Sequence, residues 1–191
     1  MAERLREKGR AVTVTREPGG TAGAECVRHV LLSGRAQPYG AELEAVLFAA
    51  ARRDNVEQNI RPALRAGHVV LCDRYMDSSR AYQGAADGAE MEFMRGLEEA
   101  VVEGARPDLT LIFDMPVERS FARMRERDGD AADRFERDGP ERHERRRAAF
   151  LRIAANEPER CRVIDADQPA DAVTAAVSAA VERAMAGGDD G

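Results

Sequence analysis

An acid and a base, Asp73 and Arg74, follow directly on a short apolar run, Val69-Val70-Leu71-Cys72, that begins after the glycine turn at Gly67. Such a run reads as a buried strand of a parallel sheet. In an open α/β sheet the carboxyl ends of the strands are where ligands bind. Asp73 and Arg74 are therefore candidates for ligand binding, with a structural ion pair at a strand end as the alternative. Three further groups share this polar chemistry. Arg16-Glu17-Pro18-Gly19-Gly20-Thr21 is a turn whose glycines serve either plain loop geometry or the approach of backbone N–H groups to a phosphate. Phe48 and Arg52 lie four apart on one helical face. They can stack on a base and bond its edge, or be a core ring beside a solvated cation. Arg123, Arg125, Arg127, Arg134 and Arg137 surround the polar segment Asp128-Gly129-Asp130-Ala131-Ala132-Asp133. That segment is either a solvated charged loop or a lid, at about 125–138, whose arginines close over transferring phosphates.

The elements that position these residues alternate along the chain. Residues 2–9 read as the last turns of a helix, with Leu5 as apolar contact and Gly9 as stop. Ala11 to Thr15 is a β-rich run, and Thr21 can cap a helix to about Ser33, with Val27, Val30 and Leu31 on its apolar face. Residues 41–66 are mostly helical, with Pro62 marking a kink or restart and Leu43, Val46, Leu47, Ala50, Ile60 and Leu64 on the buried side. After the central strand that ends in Asp73 and Arg74, residues 77–84 read as a polar loop or helical turn. A helix near 90–103 carries Met91, Met94, Leu97 and Val101 as packing or dimer surface. Leu109 to Asp114 is a second apolar strand, and Pro116 opens a helix to about Arg127. A helix over 141–156, a strand at Cys161–Asp165 and a closing helix from Pro169 to Met185 complete the order. This alternation predicts one doubly wound α/β domain over 1–191, with parallel strands flanked by helices.

Composition narrows the function classes. With 43% hydrophobic and 34% charged residues the chain reads as a soluble globular protein, and its net charge of −6 argues against a duplex nucleic-acid binder. No apolar run approaches the roughly 18 residues of a membrane span, and Met1 to Lys8 lacks a signal-peptide core. Three widely spaced cysteines, Cys26, Cys72 and Cys161, fit reduced buried thiols of a cytoplasmic protein. The three histidines have no metal-ligand spacing.

Taken in order, Thr15-Arg16-Glu17-Pro18-Gly19-Gly20-Thr21, Phe48 to Arg52, Asp73-Arg74-Tyr75 with Ser78 and Tyr82-Gln83-Gly84, Arg106-Pro107-Asp108-Leu109-Thr110, and Asp165-Ala166-Asp167-Gln168-Pro169 closely resemble bacterial thymidylate kinase over essentially the whole chain. The resemblance implies the P-loop nucleoside-monophosphate kinase fold, usually a homodimer. It also implies transfer of the γ-phosphoryl group of ATP, with Mg2+, to dTMP. Carried over motif by motif, Phe48 stacks on thymine, Arg52 bonds its edge, and Arg74, helped by Arg16, binds the dTMP phosphate. Ser78, Ser79, Tyr82 and Gln83 line the nucleoside pocket, and Asp73 orients the magnesium shell. Arg134, with Arg125 and Arg127, supplies catalytic charge from the lid. Arg123, Asp165 and Gln168 lie along the ATP base.

One element of the family is not found. No Gly-x-x-x-x-Gly-Lys-[Ser/Thr] occurs in these residues, and the central first strand that feeds that loop is missing too. The expectation is a start placed downstream of the true one, two exposed apolar strand edges, and a polypeptide that is inactive or very weak as given. Two other readings stay open: a nucleotide-binding homologue that has lost transfer, and a kinase for another nucleoside monophosphate.

Overall fold

The computed structural model describes residues 1–128, 135 and 138–187, with the side chains of 126–128 left aside. The chain divides into two compact units, one of Ala2–Arg106 with Phe135, the other from Pro107 onward.

The first unit opens with helix α1 (Ala2–Glu7) and strand β1 (Val12–Arg16). Helix α2 (Ala22–Leu32) follows, capped by Thr21, whose side chain accepts the Ala24 N–H at 3.1 Å. Helix α3 (Gly40–Asn55) runs through a wide π turn (Val56–Ile60) into α4 (Arg61–Arg65), so Pro62 sits in the first turn of a restart. Strand β2 (Val69–Asp73) pairs in parallel with β1, from Val12 opposite Val69 to Arg16 opposite Asp73. Short helix α5 (Met76–Ser79) continues as a second π turn (Arg80–Ala86), and α6 (Met91–Val102) closes the unit.

The buried face of α3 is not the one its leucines and valines predict. Leu43, Val46 and Ala50 are exposed, while Glu44, Ala45, Ala49, Ala51, Arg52 and Asn55 are buried. Alanines face inward because α6 approaches there: Ala45 packs with Ala89 and Met94, and Ala49 with Met76, Val101 and Val102. Small side chains allow that approach, and the polar members of the same face find partners instead of water. Leu64 and Val30 are likewise exposed, against the sequence expectation, and the neighbours Ala63 and Leu31 pack instead. Met91, expected as packing or dimer surface, is exposed, while Met94 is buried. Of the two forms expected for residues 77–84, polar loop or helical turn, the structure shows the helical one. Asp77, Ser79, Gln83 and Gly84 are buried, and Arg80 pins the π turn to α6 through a fork on Glu98 at 2.6 and 2.7 Å.

In the second unit, strand β3 (Thr110–Asp114) pairs in parallel with β4 (Cys161–Asp165). Between them run α7 (Val117–Asp128) and α8 (Pro140–Asn156), and α9 (Ala170–Gly187) follows. Ile112, Ala154 and Cys161 form the core, joined by Phe150 and Ile153. Arg147 of α8 forks onto Asp114 at 2.7 and 3.1 Å, and the hydrogen bonds from Arg147 hold the Asp114 carboxyl below its usual range.

Among the described residues the four strands therefore form two parallel pairs and not one continuous sheet. β2, expected to be buried, is half-buried along its apolar residues, and Phe113 of β3 is 56% exposed. A strand with a ladder partner on one side only leaves its other edge open. Cys161 is buried, but Cys26 is exposed, which corrects the expectation of three buried thiols.

Candidate functional site

The turn after β1 and the start of α2 form a closed polar knot. Glu25 accepts from Arg16 at 2.9 Å and from the Gly20 N–H at 3.0 Å. A Cβ on Gly20, whose φ is +92°, would lie 2.4 Å from Thr15 Oγ1 and 2.9 Å from Asn55 Oδ1. Close side-chain packing and a left-handed backbone thus explain this glycine. Its N–H serves Glu25. Arg16, expected beside a phosphate, is exposed and paired with that same carboxylate.

Beneath the turn lies a buried charge pair. Glu17 and Arg52 are each 4% exposed, and Arg52 Nε donates to Glu17 Oε2 at 2.7 Å. The other oxygen, Oε1, accepts from Asn55 Nδ2 at 3.3 Å. Asn55 is oriented in turn, because its Oδ1 accepts from Thr15 Oγ1 at 2.8 Å and from Asn59 Nδ2 at 3.0 Å. Arg52 Nη2 donates to Ser79 Oγ at 3.2 Å, and the guanidinium carbon stands 5.3 Å from the centre of the Tyr75 ring. Burial pushes the Glu17 carboxyl up from its ordinary value, with the Arg52 charge pulling the other way. Burial also pushes up the Cys72 thiol and the Tyr75 hydroxyl nearby.

Of the expected nucleoside-pocket residues, Ser79 is the one bonded to Arg52, and the others lie on the same two segments of the chain. Phe48 sits one turn earlier on α3, and Ser79 is bonded to Arg52. Gln83 is 1% exposed, and its Nε2 has no hydrogen-bond partner among the described residues. A buried amide without a partner costs free energy unless something fills that role. Ser78 is half-buried and donates its backbone N–H to Tyr75 O. Tyr82 accepts from Arg74 Nη1 at 3.1 Å, and the Arg74 guanidinium lies 5.2 Å from the ring centre. Phe135 closes the aromatic group, 6.1 Å from Phe48 and 5.7 Å from Tyr82 between ring centres.

Asp73 and Arg74 are exposed at the carboxyl end of β2, as expected. Arg74 has φ of +63°, the only positive-φ residue besides glycine among those described. A bulky residue adopts that region at a cost, and such positions cluster at functional sites. Among the described residues no three His, Cys, Asp or Glu side chains gather as a metal cluster. A lone strand-end carboxylate fits the way Mg2+ is held, by one or two carboxylates with the substrate's phosphates.

In the second unit the three expected ATP-base residues come together. Asp165 accepts from the Asp167 N–H and from Gln168 Nε2, both at 2.9 Å. Arg123 donates to Ala166 O at 2.9 Å and Gln168 O at 3.5 Å. Arg125 is exposed on α7; the side chain of Arg127, and Arg134 with most of the lid segment, lie outside the described residues.

The sequence reading missed Glu17, Asn55 and Tyr75 as members of the site. Glu17 stood inside a quoted motif. The available signal was a charged residue flanked by the apolar strand and a glycine pair, which requires a buried partner.

Parallel strands between helices, with charged residues at a strand's carboxyl end and three aromatic rings grouped in the same unit, define an α/β protein. The comparisons give its type, that of the P-loop kinases. A crystal structure of thymidylate kinase from Ehrlichia chaffeensis superposes with a TM-score of 0.71 at 31% identity, covering 93% of this chain and 86% of that one. The family model for thymidylate kinase matches residues 1–177. The thymidylate kinase of Caulobacter vibrioides is 52% identical over 178 residues, which is 93% of this chain and 85% of the relative. That of Afipia carboxidovorans is 51% identical over 175 residues, 91% and 76% respectively. The chain belongs to the thymidylate kinase family.

Proposed function

We propose that the protein transfers the γ-phosphoryl group of ATP to dTMP, giving dTDP for nucleotide biosynthesis. The observation that carries this reading is the buried Arg52. Its Nε and one Nη2 hydrogen are engaged by Glu17 and Ser79, while Nη1 has no partner among the described residues. A guanidinium presents only donors, and thymine offers carbonyl oxygens to meet them. Phe48 beside it supplies a stacking face and Gln83 Nε2 an unused buried donor. Arg74 takes the dTMP phosphate, with Arg16 as a further cation near the same strand ends, and Ser78 and Tyr82 border the sugar. ATP enters as its magnesium complex, with Asp73 facing the magnesium shell through water and Arg123, Asp165 and Gln168 along the adenine. Arg125, Arg127 and Arg134 of the lid neutralise charge on the transferring phosphoryl group.

Family membership also supports a homodimer, and exposed Val30, Leu43 and Val46 supply an apolar surface for a second copy. In the described residues no helix is long and apolar enough to cross a membrane, and the protein works in the cytoplasm with small-molecule partners, not nucleic acid.

A second reading is a nucleotide-binding homologue without transfer, for which the buried contacts of Arg52 would serve binding alone. One pair of assays separates the two: dTMP affinity by calorimetry, and MgATP-dependent dTDP formation by chromatography. Binding with turnover supports the kinase. Binding without turnover supports the second reading, and no dTMP binding refutes both.

A further inference from the structure

We propose that Glu17 is a positioning residue for base selection: it fixes the Arg52 guanidinium so that the remaining donors accept a 4-oxo pyrimidine and reject a 4-amino one. The inference rests on the assignment of dTMP to this pocket. It adds a residue and a source of specificity to that assignment.

The hydrogen-bond directions require it. Thr15 and Asn59 both donate to Asn55 Oδ1, which leaves the Asn55 amide to donate to Glu17 Oε1. Arg52 Nε donates to Oε2. Residue 17 must therefore accept at both oxygens, and only a carboxylate does so. Glutamine has nearly the same shape but carries one acceptor and one donor. Whichever way it turns, an N–H group faces either Asn55 Nδ2 or Arg52 Nε. The backbone of Glu17 is held as well, its N–H donating to Asp73 O, so the carboxylate is placed from the β1–β2 pair and not by its own long side chain.

The consequence for Arg52 is orientational. Nε is taken by Glu17, Nη2 is shared with Ser79, and the ring of Tyr75 covers one face. A guanidinium fastened in this way cannot turn to present another edge. What it offers a base is donors alone. The 4-oxo group of thymine accepts from them, whereas the 4-amino group of a cytosine sets donor against donor, which a fixed site rejects strongly. A loosely held arginine would move aside or admit a water, and discrimination would fall. Among the described residues, Glu17 is the only carboxylate bonded to Arg52.

The test compares dTMP with 5-methyl-dCMP, which keep the same ring methyl and differ at C4 and in N3, a donor in the first and an acceptor in the second, using calorimetric Kd values so that turnover is not needed. The variants are Glu17→Gln, Glu17→Asp, and Asp114→Asn as a control that breaks the ion pair to Arg147 outside this network. The expected result is that the wild-type protein favours dTMP and that Glu17→Gln reduces the ratio of the two Kd values at least tenfold. Glu17→Asp, which keeps both acceptors, should retain more of the ratio than Glu17→Gln. Asp114→Asn should lower the melting temperature and leave the ratio unchanged. If Glu17→Gln fails to fold, the Glu17→Asp and Asp114→Asn pair carries the test, with a reduced ratio required in the first alone. A wild-type preference that survives in every Glu17 variant overturns the proposal and leaves the dTMP assignment standing. A wild-type protein that binds neither nucleotide, or both equally, removes the assignment and the proposal with it.

Discussion

Replacing Arg52 with methionine isolates the energetics of the buried pair. The change leaves the Glu17 carboxylate 4% exposed and 2.7 Å from where its cation stood. Burial already pushes that carboxyl up, and losing Arg52 removes the main opposing influence. The group escapes by taking a proton, which sets the scale of the penalty. At pH 7, protonating a carboxyl with an unfolded value near 4.3 costs about 4 kcal/mol, at roughly 1.4 kcal/mol per pH unit. That agrees with the ~3–5 kcal/mol found when one partner of a buried pair is removed. For a chain of this size it lowers Tm by roughly 8–16 °C. The sign with pH follows from linkage. A carboxyl whose folded pKa is raised contributes stability fully below its unfolded value and loses it as pH rises toward the folded one. The Arg52→Met penalty should therefore be small near pH 4.5 and grow towards pH 8. Melts by far-UV circular dichroism at several pH values measure it. Adding Glu17→Leu to Arg52→Met should restore most of the loss, since no buried carboxylate remains. A penalty under about 1 kcal/mol at pH 7, or one that is the same at both pH extremes, would refute the reasoning.

Other consequences are as open to measurement. Thr21→Ala removes the α2 cap, but the Ala24 N–H keeps Asp54 as acceptor at 3.1 Å; the expected cost is about 1 kcal/mol, read by urea denaturation. Asp114→Asn breaks the fork to Arg147, which holds the Asp114 carboxyl low. Its contribution of about 1 kcal/mol should be present above pH 4 and vanish as pH falls below the ordinary carboxylate value, so wild-type and variant melts should converge in acid. Arg74→Gly relieves the backbone at φ +63° and removes the guanidinium; stability should change by no more than about 1 kcal/mol while dTMP affinity falls roughly 10- to 100-fold, and an unchanged Kd would contradict the phosphate role. Val46→Glu places a charge on the exposed face of α3, and sedimentation should show loss of a dimer without unfolding.

Much of this protein was legible as sequence because the signals are local. Strand and helix order followed from periodicity and from Gly and Pro positions, and Thr21 could be recognised as a cap because capping needs only the next three residues. The grouping of Phe48, Arg52, Ser79 and Gln83 came from motif resemblance; of these the structure bonds Ser79 to the buried Arg52, with Phe48 one turn earlier on α3 and Gln83 buried in the π turn that follows Ser79. What sequence could not supply is which face of α3 turns inward. Leu43 and Val46 have the hydrophobicity, but Ala45 and Ala49 have the size that α6 requires, and only the approach of α6 decides between them. The partner of Glu17 was hidden for a similar reason. The pair is 35 residues apart in sequence, and a buried charge shows its partner only once the chain has folded around both.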